Sequence, residues 1–562
     1  MAHALKPGWA AADRRGVAPA AAVAADTAGI AADSGTAALW TLASRITGFG
    51  RVAVVAAVLG PTFFGNLFQT VNVLPNVLHD LLTGSLITAL LVPPLVRCID
   101  LSDRHGVARL ANGFLGVLLL VFAAVIVLCA FAAPLLLALL TLAVDEPAVR
   151  AEQQRLGWPL LLLVMPQLLL YGIAATGAAV QHAHRRFALA AGAPALENLA
   201  IIAVMALSAV IFGVGMDVDA VTTAHILFLG LGSTAAVGLH AGAQWWGAFR
   251  LGIALWPRAG WRDPEVRQIV RLALPSSGNT SLHCVTFLGL LIVAGSIPGG
   301  AIAFLIGLNF LQLPVALWAR PLANAQLPRL SRSFARGEAA AFAATYRGSL
   351  ALTLFVALPT SLLFVAVAGT LAGAVSFGEM ADVTGIALVA AAIASMGPGI
   401  LGEAALQVTT SASYARRDAL LPLRAMALRG AITAIGMAIA VLAMEGAAVL
   451  WTLGLAFSAS SLIAAAYLHA GVAARAPAGA GPRWRLGDLA ASLAAAAVAL
   501  LLAHQLDGEL AGSAGRIAGA LAVVGAAALV YLAIQALRGS EEVRSLRDGL
   551  RQLGGLEPGR GR

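Results

Sequence analysis

The sequence predicts an all-α polytopic membrane protein of about 14 transmembrane helices, built as two pseudo-symmetric six-helix lobes plus two C-terminal helices. Three observations predict it: the bulk composition, a series of long apolar runs, and arginines that fall in alternate loops. The 562 residues are 60% hydrophobic and 11% charged, with a mean hydropathy of +0.87. Soluble domains carry about 25% charged residues, and no soluble core of this length would absorb so much apolar surface. A bilayer absorbs it.

A spanning helix needs about 20 predominantly apolar residues. Such runs lie near 36–60, 64–96, 108–142, 156–181, 187–213, 220–248 and 268–296. A second series lies near 300–328, 348–376, 383–412, 418–443, 446–473, 486–505 and 514–537. Loop charge supports the count independently, because cytoplasmic loops are enriched in Lys and Arg. With an inside N-terminus, the inside loops carry Arg97, Arg104 and Arg109, then Arg185 and Arg186, then Arg250, Arg258, Arg262 and Arg267. Further inside loops hold Arg329, Arg332 and Arg336, then Arg416 and Arg417. The outside loops carry Asp145, Glu146, Asp217, Asp219, Glu379, Asp382 and Glu445, with Arg150 and Arg155 as the exceptions. The expected location is the cell inner (plasma) membrane, with both termini cytoplasmic.

An internal repeat divides the chain. Leu74-Pro75-Asn76-Val77-Leu78 precedes Pro93-Pro94-Leu95-Val96-Arg97, and Leu313-Pro314-Val315-Ala316-Leu317 precedes Pro328-Arg329-Leu330-Ser331-Arg332. The copies fall on the second and eighth spans, which have equal orientation, as in transporters built from parallel repeats. The expected units are a disordered cytoplasmic tail over 1–35, an N-lobe over 36–250 and a C-lobe over 251–474. Two further helices over 475–537 and a cytoplasmic amphipathic tail over 538–562 complete them. In that tail Val543, Leu546, Leu550 and Leu553 share one face, which suits a helix resting on the inner leaflet.

Composition also excludes partners and chemistry. All but one of the 36 basic residues are arginine, scattered in short clusters between apolar runs. That distribution fits anionic lipid headgroups and topology control, and does not fit nucleic acid. Cys98, Cys129 and Cys284 have neither disulfide-framework nor zinc spacing. No phosphate-binding loop, His-Glu-x-x-His or nucleophile elbow occurs. The reading is a transporter, with no catalytic residue, metal or cofactor.

Polar groups at membrane depth are costly, so each is a functional candidate. On the second span Asn66, Gln69, Asn72, Asn76, His79, Asp80 and Thr83 form one stripe, opposite Leu67, Val71, Leu74, Leu78 and Leu82. Such a stripe lines a wet cavity or supplies interhelical hydrogen bonds. On the first span, Gly48 and Gly50 lie between Arg45 and Arg51. On a straight helix these arginines would point about 120° apart. A bend at the glycines would let both guanidiniums converge on an anion, whose phosphate they match by forked hydrogen bonds. The alternative is snorkelling to an interface. Ser276, Asn279, Thr280 and His283 on the seventh span, and Asn309 and Gln312 on the eighth, are weaker candidates. Glu197 and Glu403 are lone intramembrane carboxylates, read as protonated and inert.

Several motifs resemble one family. Ser44-Arg45-x-x-Gly48-Phe49-x-Arg51, then Leu74-Pro75-Asn76-x-Leu78, Gly84 and Pro93, resemble the lipid II flippase family (MurJ/MviN) of the multidrug/oligosaccharidyl-lipid/polysaccharide exporter superfamily. Pro328-x-Leu330-Ser331-x-Ser333-Phe334-Ala335-x-Gly337 and Tyr414-x-Arg416-x-Asp418 are similar to the same family. The resemblance runs from about 36 to 537. It implies export of undecaprenyl-pyrophosphate-linked peptidoglycan precursor by alternating access around a cationic cavity, whose first-helix arginines match Arg45 and Arg51. It also implies departures: His79 and Asn309 stand where the family usually has cavity arginines, and Val52 and Asn66 where it has acids.

The expected substrate contacts are therefore Arg45, Arg51, His79, Asn72, Asn76 and Asn309. The expected partners are a lipid-linked oligosaccharide, membrane lipids and cell-wall synthesis proteins. Three other readings stay open on the sequence: a flippase for another lipid-linked glycan, a cation-coupled drug exporter, and a transport-inactive envelope scaffold.

Overall fold

The computed structural model describes the backbone of residues 20–83, 86–474, 486–506, 512–544 and 547, and the side chains of these except 20–38, 86–89, 272–279 and 486. Nineteen α-helices make up the described chain. The first nine are α1 (Ala20–Leu59), α2 (Phe63–Thr83), α3 (Leu86–Asp100), α4 (Arg104–Phe131), α5 (Ala133–Leu140), α6 (Pro147–Val164), α7 (Gln167–Ala183), α8 (Phe187–Phe212) and α9 (Thr223–Arg250). The next eight are α10 (Pro264–Ala294), α11 (Gly300–Pro314), α12 (Arg320–Ala335), α13 (Ala339–Ala366), α14 (Ala368–Val375), α15 (Val383–Ala415), α16 (Leu420–Ala443) and α17 (Ala447–Ala473). Two more follow, α18 (Leu486–Leu506) and α19 (Gly512–Leu537).

Among the described residues, 12 helices are long and apolar enough to cross a membrane. The expected count of about 14 is not reached by that measure. The two expected spans that fall short are the second (α2 with α3) and the seventh (α10). Both are helical; α2 carries the polar stripe, and among the described residues of α10 the apolar helix is Thr280–Ala294, shorter than a span. The polarity that marks α2 as functional also removes it from a hydropathy count.

The repeat takes a related form in both copies. Pro75 sits inside α2, and Pro314 ends α11 at a five-residue π-helical turn, Val315–Ala319, before α12. Proline removes one backbone donor and crowds the preceding turn, so a helix kinks or changes its winding there. Residues 20–35, read as disordered, are helical and continuous with the first span, in keeping with the high helix propensity of their many alanines. The surface helix expected after Ser540 lies almost wholly outside the described residues.

Packing distinguishes the two ends of the bundle. At the end bearing the acidic loops, one apolar core runs through both lobes, including Val55 and Leu59 of α1, Phe64 and Phe68 of α2, Phe304 of α11 and Ile393 of α15. At the arginine-rich end the cores are separate. One joins α3, α4, α7 and the foot of α10 through Leu91, Leu110, Leu168 and Val266. The other joins α12, α13, α15 and α17 through Leu330, Tyr346, Val408 and Leu468. The lobes are thus fused at the acidic end and have independent interiors at the arginine-rich end.

Specific polar contacts seal the fused end. The Asn66 amide donates to the carbonyls of Gly295 (3.2 Å) and Ile297 (2.7 Å), and its oxygen accepts from the Ala301 N–H at 3.0 Å. Gly299 N donates to Thr62 O at 3.2 Å. Gly299 has φ +71°, and a Cβ there would stand 2.3 Å from Pro61 Cα, so only glycine lets the two turns meet. An edge-to-face pair, Phe49 and Phe310 at 5.1 Å, adds a further α1–α11 contact. Asn66, expected in the cavity stripe, is therefore a buried interlobe clasp.

α10 touches both lobes. At its foot, Arg97 pairs with Glu265 at 3.0 Å, and Arg109 pairs with Asp263 and Glu265. Further along, His283 and Thr286 line a cavity of about 30 Å³ shared with Phe304, Gln312, Arg429 and Phe457 of α11, α16 and α17. That space holds roughly two waters.

Candidate substrate site between the lobes

The site begins with how α8 holds α1. Asn198 of α8 donates to Ser44 O and to Thr47 Oγ1, both at 3.2 Å. Gly48 makes this approach possible: a Cβ there would lie 3.3 Å from Asn198 Nδ2. α1 is one uninterrupted helix through Gly48 and Gly50. Gly48 serves close packing, the helix is not broken at either glycine, and the two arginines have different partners.

Arg51 reaches into the N-lobe. Its Nη1 lies 3.7 Å from Glu197 Oε1 on α8, with about a third of the guanidinium side chain exposed (33%) and the carboxylate side chain 10% exposed. Glu197 has two closer partners. Tyr171 of α7 donates its hydroxyl to Oε1 at 3.2 Å, and Nδ1 of His240 on α9 lies 2.9 Å from Oε2. An ionised carboxylate only accepts, so Nδ1 is the protonated ring nitrogen in this contact. Four helices thus converge on one carboxylate. Glu197 is a paired group, contrary to the inert reading, which rested on sequence neighbours alone.

Arg45 is exposed and forms no ion pair among the described residues. It lies within electrostatic range of Arg320, at the start of α12 in the other lobe. Arg320 follows directly on the π-helical turn and donates through Nη2 to Gln312 Oε1 at 2.9 Å. Arg45 and Arg320 thus bring like charges from the two lobes into electrostatic range of each other. Like charges within that range repel, and an anion between them relieves the repulsion.

The remaining expected contacts divide. The His79 ring packs on Phe122 and Tyr171, with centroids 5.9 Å away in each case. Its Nδ1 is 3.3 Å from Asp80 Oδ1, and its buried Nε2 has no partner among the described residues. Asn76 is exposed and Asn72 half-buried, accepting a long 3.4 Å contact from Gln167. Asn309 donates to Leu305 O one turn back in its own helix. The structure thus groups Arg51, Tyr171 and His240 around Glu197 with His79 packed on Tyr171, brings Arg45 into electrostatic range of Arg320, and gives Asn309 only a local bond. The side chains of Ser276 and Asn279 lie outside the described residues.

Four residues at these sites are not singled out by the sequence reading: Tyr171, His240, Arg320 and Arg429. The insertion cost that marks Arg45 applies equally to Arg320 and Arg429, each inside an expected span. Tyr171 and His240 carry no such signal, since their role depends on which helices meet. Arg429 pairs with Glu403 at 2.7 Å, with both side chains under 10% exposed. Ser461 donates to the same carboxylate at 2.8 Å, and the guanidinium stacks over Phe457 at 4.6 Å. Glu403 is also a paired group, and so the inert reading fails for both carboxylates.

This fold is that of a multi-pass α-helical membrane protein whose two lobes share one core at the acidic end and each place arginines at membrane depth. Residues 55–510 match the sequence profile of the lipid II flippase MurJ family, and the chain belongs to that family. It is 26% identical over 398 residues to a probable lipid II flippase MurJ of Rhizobium tropici, covering 70% of this chain and 72% of that one. It is 22% identical over 391 residues to lipid II flippase MurJ of Burkholderia cenocepacia, covering 68% and 73%. Among solved structures, the inward closed conformation of lipid II flippase MurJ superposes with a TM-score of 0.68 at 15% identity, covering 89% of this chain and 98% of that chain. An inward-facing multidrug resistance MATE family transporter reaches 0.61 at 14% identity, covering 78% and 98%. Both describe the same fold.

Proposed function

We propose that this protein carries lipid II, the undecaprenyl-pyrophosphate-linked peptidoglycan precursor, from the inner to the outer leaflet of the cytoplasmic membrane by alternating access. One observation carries the reading. In a chain of the lipid II flippase MurJ family, Arg45 and Arg51 of one lobe and Arg320 of the other carry guanidiniums at membrane depth, with Arg45 and Arg320 in electrostatic range of each other. A diphosphate neutralises such a set, and guanidinium meets phosphate in forked, charge-assisted hydrogen bonds. Arg320 supplies positive charge to the eighth span, where Asn309 has none.

In this reading the arginine-rich end faces the cytoplasm and both termini lie inside. The headgroup enters between the separate cores, with its diphosphate on the guanidiniums and its sugars along Asn72, Asn76 and His79 of α2. The prenyl chain stays in lipid. Parting the clasp at Asn66 and closing the arginine-rich end then turn the site outward. Membrane potential can drive a charged step, since one charge crossing 100 mV is worth about 2.3 kcal/mol. Envelope enzymes that make and use lipid II are the expected protein partners.

Coupling through an open cation site finds no support at Glu197 or Glu403, because each carboxylate already has a tethered arginine within 4 Å. The test is leaflet accessibility of lipid II in cells depleted of their own flippase and supplied with this chain. The wild-type chain is expected to restore outward accessibility. Arg51→Ala is expected to abolish it at unchanged membrane abundance. Full translocation by Arg51→Ala removes the proposed site.

A further inference from the structure

Glu197 presents a problem that the transport reading does not answer. A transporter that binds an anion on Arg51 gains no affinity from a carboxylate placed beside that arginine, because the two anions compete. Burying a carboxylate is also costly, and the cost is tolerated only with good partners. The contact distances suggest what the group is for. The Arg51–Glu197 approach, at 3.7 Å, is too long for a hydrogen bond. The His240 contact at 2.9 Å and the Tyr171 bond at 3.2 Å are within range. Glu197 keeps two partners if Arg51 leaves, whereas among the described residues the ion pair of Arg51 is with Glu197 alone.

We propose that Glu197 is a releasable internal counter-anion: it holds Arg51 while the site is empty, yields it to the substrate diphosphate, and reclaims it as the diphosphate departs, with His240 and Tyr171 satisfying the carboxylate in between. The inference rests on the assignment of Arg51 to the diphosphate and adds the residues that set affinity against release. The groups facing Glu197 are Arg51 from α1, Tyr171 from α7 and His240 from α9. Asp80 of α2 lies within electrostatic range of Tyr171 and opposes any excess anion there. The advantage is kinetic. A cationic pocket with no internal competitor would bind a diphosphate tightly and release it slowly. A competing carboxylate at partial strength lowers both the occupied-state depth and the release barrier.

Glu197 and His240 are positioning residues in this scheme, and their substitutions have opposite signs. Glu197→Gln removes the competitor while keeping the shape, so Arg51 is free for the diphosphate. Lipid II binding to the purified full chain, followed by native mass spectrometry, should tighten by about fivefold, the worth of a partly exposed ion pair. Translocation in cells should slow. His240→Phe leaves Glu197 more dependent on Arg51, so lipid II binding should weaken. The double variant Glu197→Gln/His240→Phe should bind as tightly as Glu197→Gln alone, which separates the effect from damage to folding.

Two further variants separate this inference from the reading beneath it. Arg51→Ala should lose most binding, and Glu197→Gln added to it should change nothing further. If Arg51→Ala binds lipid II like the wild type, the diphosphate assignment itself is wrong. If Arg51→Ala loses binding but Glu197→Gln and His240→Phe shift it in the same direction, or neither shifts it, the counter-anion role alone is overturned.

Discussion

Each lobe buries one intramembrane carboxylate against one arginine, and the two pairs are built differently. In the C-lobe, Glu403 and Arg429 meet at 2.7 Å, both side chains under 10% exposed, with Ser461 on the carboxylate and Phe457 under the guanidinium. In the N-lobe, Arg51 stands 3.7 Å from Glu197, a third exposed, while His240 and Tyr171 hold the carboxylate. The first pair has no slack: neither charge can leave without stranding the other in a low-dielectric interior. The second can part at little cost. A shared motif, an arginine beside a buried acid, therefore serves architecture in one lobe and leaves a cation available in the other.

The comparison breaks most visibly at the C-lobe pair. Arg429→Ala strands the Glu403 carboxylate, and the expected loss of stability is about 3–5 kcal/mol, read as a depressed thermal unfolding midpoint of the purified protein. An unchanged midpoint would mean that the pair is not a structural lock. Next in size is the clasp at the sealed end. Asn66→Ala leaves the carbonyls of Gly295 and Ile297 and the Ala301 N–H unpaired, at about 1–3 kcal/mol. Cysteine accessibility of the turn at 60–62 should rise in that variant; protection equal to the wild type would deny Asn66 its role in closure.

A third effect is smaller and sharpens the functional side. Arg320→Gln keeps a donor to Gln312 but removes the charge opposite Arg45, and lipid II affinity should fall by about tenfold, the lower end for a charge-assisted contact. Unaltered affinity would exclude Arg320 from the site. The smallest shift is expected for the stability of Glu197→Gln, within about 1 kcal/mol of the wild type, because a partly exposed pair is worth little. A fall as large as that of Arg429→Ala would make both pairs locks and end the contrast between the lobes.

The sequence carries the helical architecture in readable form, because bilayer thickness and loop charge each impose a periodic constraint on the chain. The stripe on α2 and the repeat at Leu74-Pro75 and Leu313-Pro314 are readable for a similar reason: each lies within one helix. What a single helix cannot show is which group it meets. Glu197 stands alone in sequence, yet its partners come from positions 51, 171 and 240 on three other helices. Asn66 looks the same as Asn76 in the stripe, but one faces a turn of the opposite lobe and the other is exposed. Gly48 and Gly50 fit a bend or a close approach equally well until the neighbour, Asn198, is known.

Arginine placement is the point on which the whole account turns, and direct binding tests it best. Native mass spectrometry of the purified chain with lipid II should show bound lipid for the wild type and about tenfold weaker retention for each of Arg45→Ala, Arg51→Ala and Arg320→Ala. Retention of lipid II by all three variants at the wild-type level would contradict a diphosphate held between the lobes.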